Sequence, residues 1–393
     1  MSKKMTFYQV DNGASVLVTL DDETHILLDI KQKPDDATDD DKAEDVHASL
    51  LKTLPKRDGR RRLTTFALTH ADLDHCQGFS RIFFYPGQDE DDDELIGIDE
   101  LWVTAEIFNE KLSGPAKDVQ KEARRRLRLW SDKDKHADAE KPGNMLVVFG
   151  RSDSEDLAHL PASLHPGAGT VVTSIAGQKR SDLEVFVHCP FSYLLDNDEE
   201  LRNDTSLILQ ISMTDGDSEA VLLIGGDAGC EVWKTVYNKS HEEGNADRLE
   251  WDVFFVPHHG SYKFFTEKEH EQGREEAQKS PAKTSMGILA AGREKGWLVC
   301  SSRPVKEANY QDEDPPHIEA VQHYRRRAEE LGDKNHFVCL MKNPSEANPS
   351  PLVLRLTAGG LQKAVLGAAS ISIGGKATSQ PSRWGDNSGI GNG

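Results

Sequence analysis

Long hydrophobic runs are missing from this 393-residue chain. No stretch approaches the roughly 18 consecutive apolar residues that a membrane span requires, and the mean hydropathy is -0.60. The first ten residues start with basic side chains, but they lack the apolar run of roughly 7–15 residues that a secretory signal contains. We therefore expect a soluble, cytoplasmic protein that does not associate with a membrane.

Cysteine is scarce and shows no motif. The five thiols are an odd number, and no two of them form a C-x-x-C pair. This excludes a disulfide framework and a structural zinc ribbon. We expect most of them to be buried, reduced thiols; they are Cys76, Cys189, Cys230, Cys300 and Cys339.

Positive charge is also in short supply, with 47 Lys and Arg against 67 Asp and Glu and a formal net charge of -20. Such a charge repels polyanions at long range and disfavours a general nucleic-acid coat protein. Two arginine clusters leave room for local positive grooves, although a solvated charged face is the commoner role of such a cluster. The clusters are Arg57, Arg60, Arg61 and Arg62, and then Arg124, Arg125, Arg126 and Arg128.

Short β-type runs recur along the chain and keep ending at polar or glycine-containing segments. The first two, at 6–10 and 15–20, flank an Asn-Gly turn signal and predict a hairpin. Further strands are expected at 25–30, 63–68, 100–104, 145–149, 183–188, 206–212, 220–224, 251–256, 337–341 and 351–356, with helices at 115–130 and 318–331.

Acidic insertions near 33–45 and 89–94 are expected to be solvated. The Gly/Ser-rich segment 368–393 predicts a flexible tail after a main domain over 1–367.

Four potential metal ligands stand within six residues on the segment that follows the expected strand at 63–68. His70, Asp72, Asp74 and His75 form the pattern H-x-D-x-D-H. Because neighbouring carboxylates repel and a buried imidazole needs a partner, this density is costly without a cation. The pattern favours a metal-binding loop over the alternative of an ordinary polar loop.

Two further strand ends carry ligand types. Asp227 follows the expected strand at 220–224 behind two glycines, which permit close backbone approach, and its carboxylate can bridge two metals. His258 and His259 follow the strand at 251–256 in the sequence Pro-His-His-Gly-Ser. Imidazole combined with carboxylate suits zinc, manganese or iron. A satisfied core histidine pair is the alternative, but three such strand ends in one chain favour a metal site.

The order of these motifs resembles the metallo-β-lactamase superfamily, whose signature is H-x-H-x-D-H, then a strand-end Asp, then a strand-end His. More narrowly, residues 6–365 resemble the C-terminal hydrolase domain of the ComEC/Rec2 DNA-uptake family, without that channel's membrane part. The family's D-x-D-H loop, N-x-x-S-L-V-L strand, G-D and P-H-H-G-S segments match residues 72–75, 203–209, 226–227 and 257–261. Its opening segment matches 9–15 loosely, and its late N-x-Y-G-H-P segment resembles 309–317.

The resemblance implies an α/β fold of the metallo-β-lactamase type, a four-layer αββα sandwich of two mixed sheets flanked by helices. It also implies two divalent metal ions, Zn²⁺ or Mn²⁺, held by His70, Asp72, Asp74, His75, Asp227 and either His258 or His259. The family's remaining ligand has no clean counterpart; Asn203 and Asp204 are the favoured candidates, and His188 is better explained as a structural strand-end residue. Asp72 in place of the usual histidine hardens the site toward manganese or magnesium.

The activity implied by this family is hydrolysis of a phosphodiester in DNA or a nucleotide, with Asp74 also orienting the nucleophile. Ser261 and Lys263 follow the histidine pair and either contact a substrate oxygen or are plain loop residues. A lactonase, thioesterase or lactamase-like hydrolase is the alternative, because this superfamily places different substrates over the same metals. A non-catalytic protein that binds a protein partner is the third possibility.

Overall fold

The computed structural model describes residues 2–38, 40–150, 154–192, 203–307 and 313–364. Over these ranges the strands form a sheet of ten, a sheet of seven and a separate two-stranded hairpin. The first sheet contains β1 (Lys4–Phe7), β2 (Val16–Thr19), β3 (His25–Leu28), β4 (Lys56–Arg57), β5 (Arg60–Ala67), β6 (Phe83–Phe84), β7 (Ile96–Thr104), β8 (Met145–Phe149), β18 (Leu352–Thr357) and β19 (Gly360–Lys363). The second contains β9 (Val171–Val172), β12 (Leu183–Cys189), β13 (Ile208–Asp215), β14 (Ser218–Ile224), β15 (Trp251–Phe255), β16 (Gly292–Cys300) and β17 (Phe337–Cys339), and β10 (Ser174–Ile175) pairs with β11 (Gln178–Lys179).

The α-helices are unevenly sized, and each of the four longest connects two strands that are consecutive along the chain. They are α1 (Val46–Thr53), α2 (Leu73–Cys76), α3 (Phe79–Ile82), α4 (Gly114–Trp130), α5 (His136–Ala139), α6 (Cys230–Glu242), α7 (His270–Lys279), α8 (Lys283–Ala290) and α9 (Ile318–Glu330). None of the helices in the described ranges is long and apolar enough to span a bilayer.

Both large sheets are mixed. In the first, β1 pairs antiparallel with β2 and β18, whereas β3, β5, β7 and β8 run parallel to one another. In the second, β12, β13 and β14 are antiparallel, and β14 to β17 are parallel. Parallel strands end at the same edge of a sheet, and in open α/β sheets that edge is where ligands bind. The segments that leave β5, β14 and β15 therefore emerge at positions where a site can assemble.

Alternation along β2 shows how the layers arise. Val16 and Val18 pack into the core between the two sheets, where Phe7 of β1 stacks on Phe255 of β15 at 6.0 Å between ring centroids. Leu17 points to the opposite face and joins a second core under α1, α3 and α4. Successive strand residues point to opposite faces. Both faces of this sheet are covered, so Val16, Leu17 and Val18 are all apolar and do not alternate with polar residues.

A third core lies on the outer face of the second sheet, beneath α6, α8 and α9. The order of layers is therefore helices, sheet, sheet, helices, and the expected four-layer αββα sandwich of two mixed sheets is confirmed. The predicted opening hairpin is also confirmed by the β1 and β2 pairing. The five cysteines are all buried free thiols, as expected. The predicted 309–310 match and the tail at 368–393 lie outside the described residues.

Candidate metal centre

The loop at 69–78 is held at the edge of the first sheet by backbone hydrogen bonds to its neighbours. The short helix α2 places Asp74 and His75 on consecutive positions, and their carbonyls accept from the N–H groups of Ala14 (3.2 Å) and Ile30 (2.9 Å). The carbonyl of Thr69 accepts from the N–H of Leu207, just before β13, at 2.8 Å. The loop is thus fixed to both sheets, and its side chains face the gap between their edges.

Asp227 reaches this loop because Gly226 lets the two backbones approach closely. Gly226 has a left-handed φ of +50°, and a Cβ at this position would lie 2.8 Å from Thr69 Oγ1 and 3.2 Å from His70 Nδ1. The former distance is shorter than a normal Cβ contact, so a side chain here would displace Thr69 or His70. The close approach expected from the Gly-Gly sequence is present, and it delivers a buried carboxylate.

The histidine pair occupies a strained turn after β15. His258 and His259 both have left-handed backbone conformations, with φ values of 46° and 53°, and each such non-glycine residue costs on the order of 1–2 kcal/mol. The turn is held by the N–H of His258, which donates to the Gly226 carbonyl at 3.1 Å, and by the N–H of His317, which donates to the Gly260 carbonyl at 3.0 Å. The structure around the turn stabilises a conformation that aims both rings at Asp227.

Four side chains converge most closely: the ligand atoms of Asp74, His75, Asp227 and His259 all lie within 4.8 Å of one another. His259 Nε2 is 3.0 Å from Asp74 Oδ2 and 3.6 Å from Asp227 Oδ2, and His75 Nε2 is 3.2 Å from Asp227 Oδ1. Atoms that share one tetrahedral cation at about 2.1 Å stand about 3.4 Å apart. We name this set the compact group; its spacing is that of ligands around one cation.

A second, wider set shares Asp227 with the compact group. His70 Nε2 is 3.9 Å from Asp227 Oδ2 and 3.7 Å from Asp72 Oδ2, and His258 Nε2 is 3.7 Å from Asp227 Oδ2. These separations are too long for hydrogen bonds. We name His70, Asp72 and His258 the open group. Its two imidazoles approach Oδ2 of Asp227, which His259 of the compact group also faces, whereas Oδ1 faces His75.

The hydrogen bonds behind the histidines leave their Nε2 atoms free for a metal. The Nδ1–H of His75 donates to Asp29 Oδ2 at 2.7 Å, and that of His259 donates to the Ser301 carbonyl at 3.0 Å. Thr69 donates its hydroxyl proton to Asp29 Oδ2 at 2.7 Å, so its oxygen accepts from His70 Nδ1–H at 3.1 Å. These bonds at Nδ1 turn the Nε2 atom of each ring toward the centre, where a bound metal would take the place of any proton on Nε2.

Buried atoms without partners support the fit of a cation. Among the described residues, His70 Nε2, His75 Nε2 and Asp227 Oδ1 are buried and have no hydrogen-bond partner. Leaving a buried polar atom unsatisfied costs about 1–3 kcal/mol, and more for a charged group. Divalent cations at the compact and open groups would satisfy all three atoms. The mixture of imidazole nitrogen and carboxylate oxygen also suits zinc or manganese.

The electrostatics of the cluster follow from burial and from the pairing of opposite charges. Burial alone would lower the pKa of His75, but the carboxylates of Asp227 and Asp29 raise it well above its usual value. Burial alone would raise the pKa of Asp227, but the surrounding histidines hold it well below its usual value. Burial and the neighbouring His75 lower the pKa of His70 to about 4. The cluster thus holds ionised carboxylates and a neutral His70, and a metal would displace the proton of His75.

Asp29 is a functional residue that the sequence reasoning missed. It is fully buried at the end of β3, where Oδ1 accepts from the N–H of Thr69 at 2.7 Å and Oδ2 receives Thr69 and His75. The available signal was its position: an aspartate directly after an apolar strand that runs parallel to β5. A buried carboxylate at that edge needs donors, and the loop at 69–75 is the nearest source.

The candidates for the remaining ligand lie at different places. The carbonyl of Arg248 lies 2.9 Å from His188 Nε2, and the ring of His188 packs on Phe186, so its side chain has a structural role. Asn203 and Asp204 precede β13 near the Thr69 loop, and burial raises the pKa of Asp204. No contact among the described residues joins either of them to the compact or open group, so their role as ligands stays a prediction.

Ser261 and Lys263 follow the histidine turn in the chain. Ser261 is buried, and its hydroxyl accepts from the N–H of Lys263 at 3.3 Å. The Lys263 ammonium is half-exposed and pairs with Glu269 at 2.9 Å. Ser261 therefore shapes the turn, and the contact of either side chain with a substrate oxygen stays a prediction.

The arginine cluster on α4 is divided between buried and exposed side chains. Arg126 is fully buried, where it pairs with Glu122 at 2.8 Å and donates to the Ile98 carbonyl at 3.0 Å and the Met145 carbonyl at 2.8 Å. The expectation of a solvated face is therefore wrong for Arg126, which joins α4 to the strands beneath it. Arg124 and Arg128 are exposed and line a cavity of about 600 Å³, so a positive groove or a solvated face stays a prediction for these two residues.

The second arginine cluster is also largely engaged. Arg60 donates to the carbonyls of residues 90, 92 and 95, Arg61 donates to the Leu54 carbonyl, and Arg62 pairs with Asp99. The bonds of Arg60 join the start of β5 to the acidic segment at 89–94. The cluster therefore does not provide a free positive groove.

No family model and no curated protein matches the chain. Among solved structures, the chain is similar to the metallo-β-lactamase GOB-18 from Elizabethkingia meningoseptica, with 11% sequence identity and a TM-score of 0.29. The match covers 72% of this chain and 87% of that protein. The assignment of the layers rests on the strand pairing and core packing given above.

Proposed function

We propose that this protein is a metal-dependent phosphodiesterase that acts on DNA or nucleotides. The observation that carries the proposal is the pair of ligand groups that meet at Asp227, each supplied by segments from different strand ends. The second support is the ComEC/Rec2-like order of the motifs, above all the Pro-His-His-Gly-Ser segment at 257–261.

In this proposal Asp74, His75 and His259 would hold one ion, and His70 and Asp72 would hold the other. Asp227 would be shared by the two sites, because its carboxylate lies beside both groups. His258 is aimed at the open group, and Asn203 or Asp204 would complete it. Zn²⁺ and Mn²⁺ both suit this mixture of ligands.

Divalent ions, when bound, lower the pKa of a coordinated water and stabilise negative charge on a phosphoryl group. The chain's own side chains supply the positioning. Asp74 is the compact group's most accessible member, with 34% of its side chain exposed, and its second oxygen can accept a hydrogen bond from an attacking water. His258 has 21% of its side chain exposed and lies 3.7 Å from Asp227, and an N–H on its ring can face a substrate oxygen.

The test combines metal content with substrate choice. Purified protein should contain about two divalent ions per chain and should hydrolyse bis-p-nitrophenyl phosphate and linear DNA with Mn²⁺. Asp227→Asn should lower both metal content and hydrolysis, the latter by more than about 100-fold, because even residues behind the ligands are worth 10–100-fold. Asp252→Asn removes a carboxylate that accepts from the Val221 N–H and pairs with Arg293, and it should leave both unchanged.

Two outcomes contradict the proposal. Turnover of nitrocefin or a lactone without turnover of any phosphodiester would assign the centre to the lactamase-like or lactonase class. Metal-free protein whose properties do not change in Asp227→Asn would assign the chain to the non-catalytic, partner-binding class.

A further inference from the structure

A basic groove of about 810 Å³ runs along the exposed edge of the second sheet. Its floor includes β17, which is the last strand in that sheet's order, and its walls are α9 and the segments at 342–344 and 363. Five cationic side chains and one carboxylate, that of Glu329, line it. The cations are Arg325, Arg326, Lys334, Lys342 and Lys363.

These cations are exposed and mostly unpaired, unlike Arg126 of α4, which is buried and pairs with Glu122. All five are exposed, and within the described ranges only Lys342 pairs with a carboxylate, that of Glu346 at 3.3 Å. Lys363 donates to the amide oxygen of Asn343 at 2.6 Å, and the Arg325 guanidinium lies over the Phe337 ring at 5.9 Å. In a chain of net charge -20, a concave surface with this excess of unpaired positive charge is suited to an anionic ligand.

The groove connects with the metal centre through one short segment. The Ser301 carbonyl accepts from His259 Nδ1, and Val305, four residues later, lines the groove. Four residues of extended chain span at most about 14 Å. The segment is fixed between the two places, since Ser302 Oγ lies 3.6 Å from Cys339 Sγ in β17. A polymer whose charges repeat every few ångströms is long enough to span that separation.

We propose that this groove binds the phosphate backbone of a nucleic-acid strand that extends from the metal centre, so that the substrate is a polynucleotide rather than a free nucleotide. The inference rests on the proposed phosphodiesterase function and deepens it. Arginine and lysine contacts to phosphate are independent of sequence and fix the position of a strand. The peptide groups of an edge strand such as β17 add further donors.

The test compares two triple variants that remove the same charge. Arg325→Ala, Arg326→Ala and Lys334→Ala together empty the groove of three cations. The matched control, Lys121→Ala, Lys141→Ala and Lys239→Ala, removes three exposed lysines outside it, each paired with a carboxylate three residues away. Binding of a fluorescein-labelled phosphorothioate oligothymidylate to the metal-loaded protein is followed by anisotropy over a range of salt concentrations.

For wild type and control we expect the same affinity and the same steep dependence on salt. Because each phosphate contact on a single strand contributes about 0.7 to the slope of log K against log salt, the groove variant should lose about 2 from that slope. It should melt at the same temperature as the control. Equal binding by all three proteins, or equal weakening in both variants, overturns the inference. Polyglutamate that competes as well as unlabelled oligothymidylate also overturns it, in favour of an acidic protein partner.

The two proposals fail separately. Wild-type protein that hydrolyses bis-p-nitrophenyl phosphate but binds the oligonucleotide no better than the groove variant overturns the groove alone. Wild-type protein that binds the oligonucleotide through the groove but hydrolyses no phosphodiester overturns the proposed function alone.

Discussion

Replacing Asp29 by asparagine should weaken metal binding while the chain stays folded. In the native protein one carboxylate oxygen accepts from the Thr69 N–H, and the other accepts from the Thr69 hydroxyl and His75 Nδ1–H, all at 2.7 Å. Asparagine keeps the shape, and its carbonyl can still accept from the Thr69 N–H. Its NH₂ group then faces His75 Nδ1, which must become the acceptor. The ring proton moves to Nε2, the atom that has to bind the metal.

The size of the effect follows from the position of Asp29 behind a ligand. Partners of this kind are worth about 10–100-fold in metal affinity, which corresponds to about 1.4–2.7 kcal/mol. The assay is competition of the protein with a chelating fluorescent indicator for Zn²⁺ and Mn²⁺, with melting temperature as the check on folding. Asp252→Asn, which removes a carboxylate from the second sheet, is the control. Metal affinity in Asp29→Asn equal to that of wild type and of this control would refute the reasoning from the ring proton.

Two further predictions concern the backbone and pH. Gly226→Ala should weaken metal binding and lower stability together, because its Cβ would lie 2.8 Å from Thr69 Oγ1. The control Gly216→Ala has a similar φ of +58° but no atom within 4 Å of the added Cβ, so it should lose only about 1 kcal/mol of stability and bind metal normally. Equal effects of the two variants in chelator competition and melting would contradict this prediction. Burial raises the pKa of Glu100 from 4.5 to about 7. Between these two pH values the folded protein therefore holds a proton that the unfolded chain has released. The free energy of unfolding should fall by up to about 3 kcal/mol as the pH rises from about 4.5 to about 7. Glu100→Gln should lack this component of the slope in denaturant unfolding at several pH values, and an unchanged slope would count against it.

Much of the fold was predictable because burial on both faces makes strands conspicuous. The runs expected at 145–149, 220–224 and 251–256 correspond closely to β8, β14 and β15, since short apolar segments bounded by polar or glycine residues have few other uses. β16 was missed, because its first half, Gly-Arg-Glu-Lys, is exposed or partly exposed and only its last five residues are buried. Helices α6, α7 and α8 were missed as well, and each carries polar residues around much of its surface.

The site was predictable as a set of strand ends, but the arrangement between those ends was not. Nothing in the letters Pro-His-His-Gly indicates that both histidines adopt a positive φ, and this turn decides that His259 joins the compact group while His258 faces the open group. The partner of His75 could not be read from the sequence either, because Asp29 is 46 residues away and meets it only through the pairing of β3 with β5. Long-range pairing of this kind is set by the sheet, and local spacing does not encode it.

The arginines show why charge along a sequence predicts charge on a surface poorly. Glu122 stands three residues before Arg125 and four before Arg126, a spacing at which helical side chains meet. The pairing on α4 could therefore be predicted from the sequence, whereas the burial of Arg126 against the sheet could not. The groove cations come from four separate segments and form no cluster in the sequence except Arg325 and Arg326. At physiological salt, charges more than about 8 Å apart are largely screened. A net charge of -20 therefore does not exclude a polyanionic substrate at a surface whose own cations lack carboxylate partners. The distribution of unpaired charge over the surface decides which substrate it accepts.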